Sequence, residues 1–473
     1  MNFVDLLKKY WALILILLLS SFVRFYNLSF SHFYGDETKT LYLDKTIPAS
    51  QFLMDQRKGP VQFLIVWFTE KVFGGYDEFY TRLPFAICGI SAILAFYLLV
   101  EKLFDKKAAL LASALFAVSG FNIAFSRTAQ YQSVLMLFGF LFLYFFYTSL
   151  VNSNLKKLLI SALFFGLALL THYDAIFFGI FAVVLYLSSY KSVGFKFKDL
   201  FIYFVLPIIL ITGIFYIPYL TSGMFSENTF NYLQRRFSGK DYSVNSSFYT
   251  FEIYNPFLPY LLILLFSSFA AVFSSDHKVK SILFWFFAAF MFFEFFVLNP
   301  GTHILNYYIP LYILAGYFIS KYKLSAFAVP FILISFFVNT LIFTNISKSE
   351  YPWVSSKIGP LTLKQANKNY NLFLYGFSYN RGWDQIRDYF ATLEGVRGVY
   401  TNDNDIIAKH YLRKFDYTIP GSNFLPQYYI YVYKNQEILN HKPEFGESIM
   451  NYTELRSFYV NGEKTATVYK LVK

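Results

Sequence analysis

The sequence predicts an α-helical polytopic membrane protein. Hydrophobic residues occupy 56% of its 473 positions, and they include 61 Phe and 41 Tyr. A soluble domain carries roughly 45–50% apolar residues, so this excess indicates a solvent other than water. Apolar runs long enough to cross a bilayer, about 20 residues each, recur from Trp11 to Thr344. Together these observations predict a series of membrane-spanning helices.

The charge and the single cysteine are compatible with this class. A net charge of +12 could indicate nucleic-acid binding, but in a membrane protein the bias of Lys and Arg towards cytoplasmic loops explains it. We therefore expect no nucleic-acid partner. Cys88 lies within an apolar run and has no second cysteine to pair with. Residues 11–23 imitate a secretory signal, but no small-residue cleavage site follows, which predicts an uncleaved first span.

The positions of the apolar runs predict about eleven spans. They lie at about 11–28, 82–104, 108–126, 133–151, 158–171, 174–190, 200–220, 257–274, 281–298, 303–320 and 325–344. Basic clusters fall in alternate loops, at Lys8/Lys9, Lys106/Lys107, Lys156/Lys157, Lys191/Lys196/Lys198, Lys278/Lys280 and Lys321/Lys323. Because loops rich in Lys and Arg stay cytoplasmic, these loops are expected on one side. An odd number of spans then places the C-terminal part of the chain outside.

One apolar segment, Val61–Phe73, does not fit this alternation. It is only about 13 residues long and carries Gln62, Glu70 and Lys71. These features predict an interfacial or re-entrant helix. Counting it as a span would place Lys106/Lys107 and every later basic cluster outside, against the charge rule.

The character of the chain changes at about Ile346, where Pro, Gly, Asn and charged residues become frequent. We predict a transmembrane domain over residues 1–345 and an extracytoplasmic mixed α/β accessory domain over residues 346–473. Strands are predicted at Leu372–Phe377, Gly398–Thr401 and Tyr428–Tyr433, and short helices at Trp383–Leu393 and Asp405–Leu412. Asn461-Gly462 between two β-prone runs predicts a hairpin.

With this topology, unusual polar residues collect on the outer side of the membrane. They are Asp36, Glu37, Lys58, Arg127, Tyr131, His172, Arg235, Arg236 and His303. A carboxylate near a bilayer is costly unless it is paired or hydrated, so Asp36 and Glu37 are candidate functional groups. One of them could accept a proton from an acceptor hydroxyl, while Arg and Lys could neutralise the phosphate of a leaving group. This combination favours transfer from a lipid phosphate.

Each of these features also has a structural interpretation. An Asp-Glu pair in a loop is usually solvated surface. Lys58 and Arg82 fit anchors that extend their charged ends to the interface, and the pair Arg235/Arg236 fits contacts with anionic headgroups. For His172 and His303, structural roles are favoured over a zinc pair.

The same stretches, in their order and spacing, resemble the polyprenyl-phosphate-sugar-dependent GT-C glycosyltransferases. This group contains the protein O-mannosyltransferases and the lipid A aminoarabinose transferases. The resemblance runs from about Phe22 to Pro310. It rests on Arg24-Phe25, Tyr34-Gly35-Asp36-Glu37, Lys58-Gly59-Pro60, Phe73-Gly74, Tyr80-Thr81-Arg82-Leu83-Pro84, the stretch 103–112, Ser126-Arg127 with Tyr131, and Tyr307-Tyr308-Ile309-Pro310.

The resemblance implies roles for individual residues. Asp36 matches the acidic catalytic base of the family, and Glu37 is its usual neighbour. Lys58 stands where the aminoarabinose transferases have a functional lysine near the donor phosphate, and Tyr308 matches a region that approaches that phosphate. A second acidic residue that some members carry after the third span is absent, because Tyr131-Gln132 stands there. A divalent cation is therefore a possible cofactor that the resemblance leaves open.

The implied function is an inverting glycosyltransferase of the cell membrane, with its active site and its C-terminal domain outside. Asp36 would be the base, while Lys58, Tyr308 and the pair Arg235/Arg236 would bind the donor phosphate. The expected partners are a polyprenyl- or dolichyl-phosphate sugar donor and a lipid, protein or glycan acceptor. The alternatives are an oligosaccharyltransferase, which the missing acidic residue disfavours, a transporter or lipid-linked sugar flippase, and a receptor. Transporters commonly show repeated halves and polar residues at the bilayer midplane, and neither feature is evident here.

Overall fold

The computed structural model describes residues 3–189, 194–238, 247–367, 374–413, 415, 426–436 and 451–472. Its helices are α1 (Phe3–Phe25), α2 (Ala49–Met54), α3 (Val61–Phe73), α4 (Glu78–Leu103), α5 (Lys106–Val118), α6 (Gly120–Ser126), α7 (Tyr131–Asn152), α8 (Leu155–Thr171), α9 (Ala175–Ser189), α10 (Phe197–Leu200), α11 (Leu206–Thr221), α12 (Asn231–Ser238), α13 (Ser247–Tyr254), α14 (Leu258–Ala271), α15 (His277–Met291), α16 (Leu305–Lys321), α17 (Ser325–Phe343), α18 (Trp383–Phe390) and α19 (Asp405–Tyr411). Its strands are β1 (Ser356–Ile358), β2 (Leu361–Leu363), β3 (Val399–Thr401), β4 (Tyr428–Val432), β5 (Tyr452–Val460) and β6 (Glu463–Leu471).

Short polar side chains fix where several of the long helices begin. Asp77 accepts the amide protons of the first turn of α4, and Asp105 does the same for α5. Asn154 caps α8 by accepting from the Lys157 amide at 3.0 Å. These caps satisfy amides that have no partner within the helix. The helix α3 ends at Gly74, whose φ of +76° is typical of a helix C-terminus.

The predicted third span is a broken helix. Helices α5 and α6 meet at Ser119 with a bend of 64°, although no proline lies there. Side chains from other helices satisfy the carbonyls that the break leaves unpaired, which apolar surroundings require. Asn339 of α17 donates to the Val118 carbonyl at 2.7 Å, and Arg24 of α1 donates to the Ala117 carbonyl at 3.2 Å. The bend is therefore held by the surrounding bundle.

Fewer helices of the described residues meet the length and apolar character of a membrane span than the roughly eleven that the sequence predicts. Within the described residues, five helices are long and apolar enough to cross a membrane, or six if the bent pair is one span. The continuous helix that joins α10 to α11, Phe197–Thr221, is one of them. The helices α8 and α16 have 17 residues each, less than the about 20 that a bilayer requires. The predicted count of about eleven spans is not confirmed.

The C-terminal part of the chain forms a small α/β unit. Its main sheet has the order β3-β4-β6-β5, with β3 and β4 parallel and the other pairs antiparallel. The predicted hairpin is present, since Asn461 and Gly462 both have positive φ between β5 and β6. Helices α18 and α19 lie within the two predicted helical stretches, and β3 and β4 lie within two of the predicted strands.

The remaining predicted strand, Leu372–Phe377, begins outside the described residues. Its described part, residues 374–377, is not a strand. Gly376 has a φ of +76°, and a Cβ there would lie 2.5 Å from backbone atoms of Ala124 in α6. The close approach to the transmembrane bundle replaces sheet pairing. The predicted domain boundary after residue 345 falls just beyond the end of α17 at Phe343, and the division into two domains stays a prediction.

The α/β unit and the transmembrane part share a hydrophobic core. Phe33, Tyr42 and Phe63, from the loop after α1 and from α3, are buried in the same cluster as Trp383 and Ile386 of α18. Tyr411 of α19 also donates to the Glu78 carboxylate at the start of α4. The segment that contains Asp36 therefore lies between two layers of the molecule, the α/β unit and the transmembrane part.

Candidate functional site

Asp36 lies in a tight helical turn between the two layers. Residues Gly35–Thr40 form a 3-10 helix soon after α1. Gly35 has a φ of +56°, and a Cβ at this position would lie 2.6 Å from the Tyr375 ring. Both the backbone conformation and the packing thus require glycine before Asp36. The motif Gly35-Asp36 is explained by this geometry.

The Asp36 carboxylate is paired with two lysines. Its Oδ1 lies 2.6 Å from Lys39 Nζ, and its Oδ2 contacts Lys58 Nζ. Burial acts to raise the pKa of Asp36, but the charges and hydrogen bonds of Lys39 and Lys58 outweigh it and hold the pKa well below its usual range. The carboxylate is therefore ionised at neutral pH. Beside it lies a cavity of about 250 Å³, lined by Asp36, Lys39, Arg57, Lys58 and Asn228 among others.

Lys58 is held in place by the glycine and proline that follow it. Gly59 has a φ of +124°, and a Cβ there would lie 2.1 Å from the Leu170 carbonyl at the end of α8. Pro60 then precedes the first residue of α3, a position that suits its fixed φ. The Lys58 ammonium also lies 5.0 Å from the centre of the Tyr131 ring. The motif Lys58-Gly59-Pro60 thus sets a cation beside Asp36.

Glu37 points away from this cavity, into a fully buried ion pair. The Arg82 guanidinium donates to both carboxylate oxygens, from Nε at 2.8 Å and from Nη2 at 2.9 Å. The backbone amides of Tyr34 and Ala129 donate to the same two oxygens. Arg82 also donates to carbonyls of the loop after α1, at residues 28, 31 and 32. Arg82 is thus a buried structural residue and not an anchor at the interface.

A second group of cations surrounds Tyr232 of α12. The Arg57 guanidinium lies 3.8 Å from the centre of the Tyr232 ring, and Arg236 Nε donates to the Tyr232 hydroxyl at 2.9 Å. Burial acts to raise the pKa of Tyr232, but Arg236, His303, Lys58 and Arg57 together lower it to about 7. A site that lowers the pKa of a phenol so far is strongly electropositive. Such a site suits an anion.

The two neighbouring arginines of α12 are not equivalent. Arg236 is half-buried, and its Nη1 donates to the Asn299 carbonyl at 2.5 Å. Arg235 is exposed. The two differ because adjacent residues on a helix face different directions. The sequence alone does not show which of the two faces the site.

A buried cluster of His172, Asp174 and His303 lies behind Tyr131. Asp174 Oδ2 lies 2.8 Å from His303 Nδ1, and Asp174 Oδ1 lies 3.2 Å from His172 Nδ1. Asn306 donates to Asp174 Oδ2 at 2.9 Å. The Tyr131 ring stacks on the His172 ring with centroids 3.8 Å apart, and its hydroxyl lies 3.4 Å from His303 Nδ1.

This cluster is the candidate cation site of the described residues. The three potential ligand atoms lie within 4.8 Å of one another, and two histidines with a carboxylate are ligands that zinc accepts. The same atoms are also satisfied by hydrogen bonds, since the Asp174 amide donates to His172 Nδ1 at 3.0 Å. Asp174 counteracts burial and raises the pKa of His303, whereas burial lowers the pKa of His172 to about 4. The donor set fits a divalent cation, which would displace the amide and histidine hydrogen bonds.

Two candidate residues lie elsewhere. Arg127 is buried at the end of α1, where its Nη1 donates to the carbonyls of Val23 and Tyr26 at 2.6 and 2.9 Å. This arrangement caps α1 and leaves Arg127 a structural role. Tyr308 is buried in α16 and stacks on Phe251 of α13, with ring centroids 4.0 Å apart. The structure does not bring Tyr308 to the Asp36 cavity.

The structure adds four residues that the sequence did not single out. They are Lys39, Arg57, Tyr232 and Asp174. Lys39 could have been found from its spacing, since residues three apart on a helical turn are neighbours. Asp174 follows His172 by two positions, but its pairing with His303 joins loops 129 residues apart and leaves no local signal.

Comparisons with known proteins bear on this geometry. Residues 57–218 match the family model described as dolichyl-phosphate-mannose-protein mannosyltransferase. ArnT from Cupriavidus metallidurans bound to undecaprenyl phosphate superposes with a TM-score of 0.61 and 14% identity, over 97% of this chain and 98% of that chain. Its apo state gives a TM-score of 0.60 and 14% identity, over 98% of both chains. The resemblance to GT-C glycosyltransferases is confirmed.

Two further comparisons show weaker likeness or none. The archaeal oligosaccharyltransferase AglB from Archaeoglobus fulgidus superposes with a TM-score of only 0.48 and 12% identity, over 97% of this chain and 74% of that chain. A search of curated protein sequences gave no significant match. At 14% identity the likeness to ArnT establishes a fold. With the family match, it indicates that the chain is a multi-pass membrane glycosyltransferase.

Proposed function

We propose that the protein transfers a sugar from a polyprenyl-phosphate donor to an acceptor on the extracytoplasmic face of the membrane, with inversion at the anomeric carbon. The observation that carries this proposal is the ionised Asp36 carboxylate in a cavity lined by Lys39, Arg57 and Lys58. A general base needs an ionised carboxylate, and a phosphate leaving group needs cations. The cavity holds both within one site.

In the proposed reaction the acceptor hydroxyl gives its proton to Asp36. The hydroxyl oxygen forms a bond with the anomeric carbon, while the bond from that carbon to the phosphate oxygen breaks. The electron pair of the broken bond stays on the polyprenyl phosphate. Lys58, Arg57 and Arg236 stabilise the charge that develops on the departing phosphate.

Because of the two lysines, the basicity of the Asp36 carboxylate depends on whether the donor is bound. In the free protein both carboxylate oxygens contact a lysine. A bound phosphate competes for Lys58, so donor binding withdraws that cation from Asp36 and raises the basicity of the carboxylate. The base thus becomes effective when the donor is in place.

The choice of donor is supported by known proteins. ArnT of the same fold has been solved with undecaprenyl phosphate, and the matching family is described by its use of dolichyl-phosphate mannose. We therefore propose a polyprenyl- or dolichyl-phosphate sugar as the donor and a lipid, protein or glycan as the acceptor. A divalent cation, where present, would be held by His172, Asp174 and His303 and would add positive charge behind Tyr131.

The test of this proposal is the release of free polyprenyl phosphate. Membranes that contain the protein are expected to release it from a polyprenyl-phosphate sugar, with the sugar appearing on an acceptor. Membranes without the protein serve as the control. Movement of intact donor between leaflets without its cleavage would instead support the flippase alternative and would exclude the transferase.

The two arginines of α12 are expected to differ in their effect on donor use. Arg236→Ala removes a guanidinium that borders Tyr232 and Asn299, so the KM for the donor should rise about tenfold, the usual order for a charged hydrogen bond. Arg235→Ala, one position away and exposed, is the matched control and should change the KM less than about twofold. Titrations of donor at saturating acceptor measure both values. Equal losses in the two variants would contradict a phosphate contact specific to Arg236.

A further inference from the structure

The loop that carries Asp36 is bound by the C-terminal α/β unit along its length. The His32 amide donates to the Tyr379 carbonyl at 2.8 Å, and the Arg381 amide donates to His32 Nδ1 at 3.1 Å. Asn380 Nδ2 donates to the Phe30 carbonyl at 2.8 Å. A backbone with so many partners is fixed in position, because each lost bond would leave a buried polar group unpaired.

Gln436 makes the contact nearest to Asp36. Its Oε1 accepts the Gly35 amide proton at 2.9 Å, and its Nε2 donates to the Phe33 carbonyl at 3.1 Å. Gly35 immediately precedes Asp36, and its conformation sets the direction of the 3-10 turn. One buried amide side chain thus satisfies two backbone groups of the loop from a distance of about 400 residues along the chain.

Gln436 is itself tied to the core of the α/β unit. Its backbone amide donates to Asp403 Oδ1 at 2.9 Å, and Asp403 Oδ2 accepts the indole proton of Trp383 at 2.9 Å. Both Asp403 and Trp383 are fully buried. A continuous chain of hydrogen bonds therefore runs from Trp383 to the residue before Asp36.

On the other side of Asp36 the loop is held by the transmembrane part. Glu37 is fixed by Arg82 of α4 and by the Ala129 amide. Asp36 is the residue between these two attachments, and its side chain faces the cavity, where it contacts Lys39 and Lys58. The bond from Gln436 to the Gly35 amide therefore gives a direct route by which a shift of the α/β unit can reach Asp36.

We propose that the C-terminal α/β unit positions the catalytic loop, and that Gln436 is the positioning residue that sets Asp36 in line with its acceptor. This inference rests on the proposed function of Asp36. Geometry of this kind matters for rate, since a misplacement of about 1 Å at a reacting group can cost about 10²-fold. The role differs from acceptor recruitment, because it acts through the backbone of Gly35 and needs no contact with substrate.

The test compares three variants of the full-length protein. Gln436→Leu removes both side-chain hydrogen bonds at similar volume, and Gln436→Glu keeps the acceptor for the Gly35 amide but loses the donor to Phe33. Gln427→Leu is the matched control, because Gln427 lies in the same unit and accepts from the Arg397 amide at 2.6 Å, away from the loop. Each protein is measured for hydrogen exchange of the peptide spanning residues 30–41 and for kcat and donor KM.

In Gln436→Leu, exchange of the loop peptide should accelerate about tenfold, the order expected for losing two hydrogen bonds. The kcat should fall about 10- to 100-fold, with the donor KM within about twofold of wild type. Gln436→Glu should lie between Gln436→Leu and wild type, and Gln427→Leu should match wild type in all three values. If Gln436→Leu does not fold, Gln436→Glu carries the same comparison.

Unchanged loop exchange and unchanged kcat in the folded Gln436 variants would overturn the positioning role. Equal changes in Gln427→Leu would do so as well, since they would show a general loosening of the unit. Absence of sugar transfer by the wild type would contradict the proposed function instead, and the exchange measurement would still decide whether Gln436 fixes the loop.

Discussion

Asp36→Asn is expected to lower the rate of sugar transfer by about 10²–10⁴-fold, the contribution of a positioned general base. The substitution keeps the size and the hydrogen-bonding capacity of the side chain but removes its basic carboxylate. Lys58 no longer faces an opposite charge in this variant, so donor binding should be retained or strengthened. Release of polyprenyl phosphate measures the rate, and binding of labelled donor measures the affinity.

Asp44→Asn is the matched control for this prediction. Asp44 is exposed, lies four residues after the 3-10 turn that carries Asp36, and is not among the residues that line the cavity. Its amidation should change the rate less than about twofold, as for most surface substitutions. Wild-type turnover by Asp36→Asn, or equal losses in both variants, would end the proposed mechanism.

The pH dependence of kcat/KM provides a second measurement on the same residue. Lys39 and Lys58 hold the pKa of Asp36 well below its usual range in the free protein. The pH profile of kcat/KM reports the ionisation of groups in the free enzyme. Protonation of Asp36 should therefore not lower kcat/KM as the pH falls from 7 to about 5. Lys39→Met should raise the pKa of Asp36, because an opposite charge is lost. The acid limb of the profile should then move to higher pH.

The sequence predicted those parts of the fold whose signals are local. Val61–Phe73 was predicted as a short helix and has these bounds in the structure, because Pro60 and Gly74 mark its two ends. The hairpin at Asn461-Gly462 needed only the two residues that allow positive φ. By contrast, the bend at Ser119 depends on Asn339 and Arg24 from distant helices. The hydrophobic pattern of the span itself does not indicate those partners.

The candidate site shows the same division. The stretches that contain Asp36 and Lys58 were predicted to be important, and the structure brings these two side chains together. The spacing of Lys39 from Asp36 was a usable signal, but the burial of Glu37 against Arg82 was not predictable, since adjacent side chains on a tight turn point in different directions. One faces the cavity and the other faces Arg82. The contact of the C-terminal unit with the Asp36 loop left no motif in the sequence, because Gln436 acts through an ordinary amide whose partners are backbone atoms.

Arg82→Met is expected to destabilise the protein by about 3–5 kcal/mol, the usual cost of breaking a buried ion pair from one side. The substitution leaves the Glu37 carboxylate, which has no exposed surface, without its guanidinium partner. It also leaves three loop carbonyls at residues 28, 31 and 32 without their donor. A marked fall in the apparent melting temperature in detergent should follow.

Two further variants separate the buried charge from simple loss of packing. Arg387→Met breaks the surface pair with Asp384, in which both side chains are about half exposed, and such pairs contribute only about 0–1 kcal/mol. The double variant Glu37→Gln/Arg82→Met removes both charges but keeps an acceptor for the Ala129 amide, so it should be more stable than Arg82→Met alone. If the double variant were no more stable, the cost would come from the loop carbonyls and not from the unpaired carboxylate. If Arg82→Met had the same apparent melting temperature as Arg387→Met, the Glu37 carboxylate would be hydrated in the variant. The loop that carries Asp36 would then not depend on this ion pair for its position.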